Sequence, residues 1–166
     1  MRVLVVYGSK RGGTAGLAQM IGEALIADGL SVDVRPAREP GSPIGYDAVI
    51  VAGALYASRW HRDARRFVRR NAHVLRSLSV WLVASGPLDG TARDGSLPPV
   101  RQVAKLVESI GAIGHETFGG RLEPDAKGFP ASAMAKKSSG DWRDPQQVKG
   151  FAATVALRLG MSIASR

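Results

Sequence analysis

Three short runs in this chain are apolar at nearly every position: VLVVY (3–7), DAVIVAG (47–53) and SVWLVAS (79–85). A strand with one wet face alternates apolar and polar residues, so a run apolar throughout must be covered on both faces. Such strands are parallel, and parallel neighbours need crossovers long enough for a helix. The intervening segments supply them. Leu17, Ala18, Ile21, Ala24 and Leu25 recur at helical spacing, with Gly29 as a C-terminal cap. Ala64, Phe67, Val68, Asn71 and Leu75 share one face of a second helix. Val100, Val103, Ala104, Val107 and Gly111 share a face of a third, with Pro98 and Pro99 at its start. SVDVR (31–35) alternates and reads as an edge or near-edge strand, and HETFGG (115–120) as a last strand. Asp144, Pro145 and Gln147 form a capping box that opens a final helix, with Phe151, Ala152, Val155 and Leu159 on its buried side and Gly160 closing it.

The order is β-α-β-β-α-β-α-β-α, with turns over 36–46 in place of one crossover helix. It predicts an α/β fold, a doubly wound parallel sheet with helices on both faces, as one domain spanning 1–166. Ligands of such sheets sit beyond the strand C-termini, where the strand order reverses. The loops that matter are therefore 8–14, 54–62, 86–95 and the one after the last strand.

Composition removes several chemistries. With no cysteine, disulfides, thiolate metal sites and cysteine nucleophiles are excluded, and a cytoplasmic location fits. The chain enters a strand directly after Met1-Arg2, without a signal segment, and no apolar stretch approaches the ~20 residues of a membrane span. His61, His73 and His115 are scattered, so a metal site is not expected, and no G-x-S-x-G or paired-carboxylate pattern occurs. The net charge of +9 points to anionic partners.

The sharpest local signal is GSKRGGT (8–14), set between the first strand and the first helix. A helix N-terminus carries roughly half a positive charge and unpaired amides. Gly8, Gly12 and Gly13 allow close approach, and Ser9 and Thr14 add hydroxyl donors. The spacing S-x-x-G-x-T lacks the lysine of a nucleotide triphosphatase loop and the G-x-G-x-x-G of a dinucleotide site, leaving a cradle for a terminal phosphate. Thr14 as a plain helix cap is the simpler alternative. A nucleic-acid module would account for the charge but leave this loop idle, and no recognition motif with interleaved aromatics accompanies it.

Several segments together resemble the flavodoxin family: YGSKRGGT (7–14), GALYASRWHRDARRFVRRN (53–71), ASGPLDG (84–90), FGGRLEP (118–124) and GDWRDPQQVKGFA (140–152). The nearest subgroup is the bacterial one related to menaquinone-dependent protoporphyrinogen oxidase. The resemblance implies five parallel strands in the order 2-1-3-4-5 and an FMN-binding redox protein, either an electron carrier or a small oxidoreductase. Ser9, Lys10, Arg11, Gly12, Gly13 and Thr14 would hold the FMN phosphate. Ala54, Leu55, Tyr56 and Ala57 would flank the ring on one side, with Ser85, Gly86, Pro87 and Leu88 on the other. Tyr56, Trp60 and Trp142 are the aromatics that would stack on it, and amides from Gly86 to Asp89 would bond its edge. Trp81, inside an apolar strand, reads as core.

The sequence departs from the resemblance twice. The segment 124–140 is shorter than in the oxidase subgroup and bears lysines, which separates the fold from the oxidase activity; it would act as a lid. The charge is also reversed, since electron-carrying flavodoxins are acidic. Here Arg62, Arg65, Arg66 and Arg69 recur at i, i+3, i+4 and i+7. That face would suit an acidic partner, a membrane surface, or the polyglutamate tail of an 8-hydroxy-5-deazaflavin coenzyme bound for hydride transfer. Solvation alone is the plainer reading of the same charges.

Overall fold

The computed structural model describes residues 1–39, 41–127, 133, 135 and 139–164, the last four of these by backbone only. Its strands are β1 (Arg2–Gly8), β2 (Ser31–Pro36), β3 (Ala48–Tyr56), β4 (Arg59–Trp60), β5 (Ser79–Ser85), β6 (Gly114–Phe118), β7 (Arg121–Leu122) and β8 (Gly140–Asp141). Its helices are α1 (Gly13–Ala27), α2 (Arg62–Arg70), α3 (Ala72–Leu75), α4 (Arg101–Ile110) and α5 (Pro145–Ala164). Five parallel strands pair in the order β2-β1-β3-β5-β6, which is the expected topology once the short β4, antiparallel to β3, is set aside.

Alternate residues of each central strand feed two cores. Val3, Val5, Ile50, Val83 and Phe118 meet α1 and α5 on one face, where Phe118 and Phe151 pack edge to face at 5.6 Å. Leu4, Val6, Val49, Val51 and Leu82 meet α2 and α4 on the other. Each such side chain contributes about 1.5–3 kcal/mol on burial, so the sheet held between helices dominates stability. Trp81 is buried with the first group. No described helix is long and apolar enough to cross a membrane.

Three details differ from the sequence reading. The second helix breaks at Asn71, whose buried side-chain amide donates to the Phe67 carbonyl at 3.0 Å and ends α2; α3 restarts at Ala72. Asp144 does cap α5, accepting from the Gln146 amide at 2.8 Å. Gln147, however, does not fold back to complete the box. Its Nε2 donates to Glu116 Oε1 and to the Thr117 carbonyl, both at 3.0 Å, tying α5 to β6. The helix also runs past Gly160 to Ala164.

The strand order reverses between β1 and β3. The chain leaves β1 through the first loop into α1 and reaches β2 on one side, while β3 continues to β5 on the other. A cleft therefore opens above the C-terminal ends of β1, β3 and β5.

Candidate functional site

The floor of this cleft is the first loop. Ser9 Oγ accepts from the Gly12 amide at 3.0 Å, folding the loop on itself, and Gly12 sits in the left-handed region at φ 82°. A β-carbon on an ordinary residue would be strained at that angle. The ladder of α1 starts with the Gly16 amide donating to the Gly12 carbonyl at 2.9 Å, which leaves the first-turn amides of Gly13, Thr14 and Ala15 for whatever lies beyond the helix end. The helix has no side-chain cap, so Thr14 does not serve as one; it is buried at 3% exposure and lines the cleft.

One wall comes from the end of β3, through Ala54, Leu55 and Tyr56. The other comes from Ser85, Gly86 and Leu88 after β5. These walls are close: a β-carbon on Gly86 would lie 2.8 Å from that of Leu55. Gly120, Arg121 and Leu122 close the cleft from the side, the Gly120 amide donating to the Pro87 carbonyl at 2.8 Å. Leu122 packs with Leu88, Ala126 and Ala135 in a small apolar cluster over the loop after β5.

Arg11 stands across the opening. Its Nη1 donates to the Tyr56 hydroxyl at 2.8 Å and its Nη2 to the Lys127 carbonyl at 3.1 Å, with the guanidinium 5.6 Å from the Tyr56 ring centre. Lys10, Arg11 and Arg121 give the rim a cationic character, offset in part by the Arg121–Glu123 ion pair. Behind the floor, the Arg143 guanidinium makes two bonds to Asp141, at 2.6 and 2.8 Å, and donates to the Gly13 carbonyl at 3.3 Å; the Arg143 backbone amide adds a third bond to Asp141 at 3.1 Å. Those bonds hold the Asp141 carboxyl below its ordinary value. Arg143 thus braces the first turn of α1 from outside.

The structure brings together most of the residues expected at the site. Ser9, Lys10, Arg11, Gly13, Thr14, Ala54, Leu55, Tyr56, Ser85, Gly86 and Leu88 all line the cleft, and Gly12 lines the adjoining groove toward Lys127. Four do not line it. Trp60 is in the core at 1% exposure, its indole Nε1 donating to the Val83 carbonyl at 3.1 Å and filling the space above Gly53. Ala57 lies in the exposed turn between β3 and β4. Pro87 contributes its carbonyl to Gly120 and no wall. Trp142 is half-buried over Gly119, with its amide on the Gly120 carbonyl at 2.9 Å and its indole N–H buried without a partner among the described residues.

One further expectation changes. Of the amides expected at the ring edge, that of Gly86 is committed to the Phe118 carbonyl at 3.2 Å. Beside the arginine face, His61 Nδ1 accepts from the Asp63 amide at 3.2 Å to cap α2, and burial lowers its pKa. The segment 124–140 lies largely outside the described residues. Sequence reading missed Gly120, Arg121 and Leu122 as cleft residues, although the Gly-Gly after the last strand signalled a close approach. It also chose Trp142 from GDWRD where Arg143 is the residue that reaches the loop.

A flavodoxin-domain family model matches residues 4–151. No curated protein matches the chain in sequence. Among solved structures, a flavodoxin from the domain Archaea superposes with a TM-score of 0.64 at 16% identity, covering 96% of this chain and 99% of that one. The two-electron reduced flavodoxin of Megasphaera elsdenii gives a TM-score of 0.60 at 19% identity, with 92% and 98% coverage. Rubredoxin oxygen:oxidoreductase from Desulfovibrio gigas gives 0.67 at 16% identity, this chain covering 37% of its length. At such identities the likeness is one of fold.

Proposed function

This chain belongs to the flavodoxin domain family, and from that premise we propose that it binds FMN in the cleft at the sheet's C-terminal edge and works as a redox protein. The observation that carries the reading is the first loop. Ser9, Gly12, Gly13 and Thr14 place left-handed backbone, first-turn amides and a buried hydroxyl at one point, over a helix N-terminus. That donor set fits a dianionic phosphate and would serve few neutral ligands.

In this reading Thr14 and the amides of Gly13 to Ala15 hold the phosphate, and Lys10 adds charge beside it. Tyr56 and Leu55 supply one plate for the ring, and Gly86 and Leu88 the other. Arg11 supplies a cation at the mouth of the cleft. Leu122 and its apolar neighbours limit water on the third side. FMN itself supplies the electron-transfer chemistry, and the chain positions and tunes it.

The test is the absorption spectrum of the protein purified from its native host. FMN gives bands near ~375 and ~450 nm, as a property of the ring that the protein only positions. A single band near ~420 nm would assign a deazaflavin to the cleft, and a colourless protein that takes up no FMN on titration would overturn the reading.

A further inference from the structure

We propose that the groove between α2 and α4 is a docking site for an acidic protein surface, one that presents carboxylates in a row. Residues 59–76 contain seven arginines and a single carboxylate, Asp63. In the structure Arg65 and Arg69 of α2 face Lys105, Gln102 and Ser109 of α4 across a groove floored by Leu106. The ion pairs among the described residues lie elsewhere, at Arg2–Asp33, Arg121–Glu123 and Arg143–Asp141. The groove's three cations therefore have no carboxylate partner among the described residues.

Arg65 adds a second observation. It is half-buried, and its Nε is shut from water with no hydrogen-bond partner among the described residues. That burial holds the guanidinium in place against the groove wall, so a ligand that pairs with its outer edge orders less side chain. The planar guanidinium fork matches a carboxylate with two parallel bonds, which a solvated basic face would not require.

The groove is anchored to the rest of the fold at one end. Gln102 Oε1 accepts from the Trp60 amide at 3.1 Å, so one wall of the groove is bonded to the hairpin whose other strand lines the cleft. The Gln102 end of the groove is thus the end tied to that hairpin. The lining contains no aromatic on which single-stranded nucleic acid could stack its bases. The large exposed apolar side chains described, Met1, Ile26, Ile44, Ile113 and Leu157, are not on α2, so a membrane would find no anchor there. The groove goes beyond the FMN reading and stands without it.

A fluorescein-labelled polyglutamate peptide, followed by anisotropy on the flavin-free protein, tests the groove. Binding should weaken as salt rises. Arg69→Glu with Lys105→Glu, both at exposed positions, should lower affinity by about tenfold or more, because like charges then face the ligand. Arg158→Glu with Lys149→Glu, an equal charge change on exposed positions of α5, should change it by less than about twofold. Arg65→Lys keeps the charge and loses the fork, and should weaken binding severalfold. Equal losses in the two double variants would reduce the effect to net charge and overturn the proposal. So would tighter binding of an oligothymidylate, or of phosphatidylserine vesicles, than of the peptide.

Discussion

The first loop and the β3–β4 hairpin flank the same cleft, yet they meet it in different ways. The loop acts through its backbone: left-handed Gly12, the Ser9–Gly12 bond and the free first-turn amides depend on small residues in a short interval. The hairpin acts through side chains, and their direction is set by strand register. Leu55 pairs with Trp60 and Tyr56 with Arg59 across a two-residue turn. That register puts Tyr56 and Trp60 on opposite faces of the ribbon. Tyr56 reaches Arg11 over the cleft, whereas Trp60 goes down onto Gly53 and bonds the Val83 carbonyl. A backbone site tolerates coarse reading, and a side-chain site fails with an error of one residue in register.

The largest expected effect separates the two aromatics. Trp60→Ala removes a fully buried indole and its hydrogen bond, and should cost about 3–5 kcal/mol in urea unfolding of the flavin-free protein. If Trp60 faced the ligand instead, the loss would fall on FMN affinity and leave unfolding nearly unchanged. Next, Thr14→Ala should weaken FMN binding by about 1–3 kcal/mol, the cost of one bond to a charged group, read by quenching of flavin fluorescence. Because Thr14 does not cap α1, its unfolding midpoint should move little.

The hairpin turn offers a smaller, opposite effect. Ala57 and Ser58 adopt φ of 47° and 59°, a conformation in which such turns favour glycine or asparagine. Ser58→Gly should stabilise the protein by about 1 kcal/mol, the left-handed cost less the extra chain entropy of glycine, visible as a raised unfolding midpoint. The smallest effect tests the brace behind the loop. Arg143 lowers the Asp141 pKa in the folded state, so the pair contributes stability above the carboxyl's unfolded value and loses it as pH falls through the folded one. Asp141→Asn should cost about 1 kcal/mol or less near neutral pH, discounted because the side chain is 46% exposed. Denaturant midpoints taken at falling pH should then show a shallower acid loss in the variant than in the parent.

The same contrast explains what could be read in the sequence. Runs apolar on both faces pointed to a parallel sheet covered by helices on either side, whereas the five-strand order came from the resemblance to the flavodoxin family, because more than one doubly wound order covers such strands. The first loop was legible because its chemistry is local. The hairpin was not, because Ala57-Ser58 carries none of the usual Asn-Gly signal and 54–60 reads as plain loop. Gln147 matched a capping box, but tertiary partners on β6 took its side chain. Arg143 was passed over for Trp142 because its role depends on a contact 130 positions away in the chain.

The most direct test of the phosphate cradle compares FMN with riboflavin, which carries the same ring without the phosphate. Two or more charged hydrogen bonds at the first loop should make FMN bind about 100-fold more tightly or better in parallel fluorescence titrations. Equal affinities would contradict the account, because they would show that the loop of Ser9 to Thr14 holds nothing.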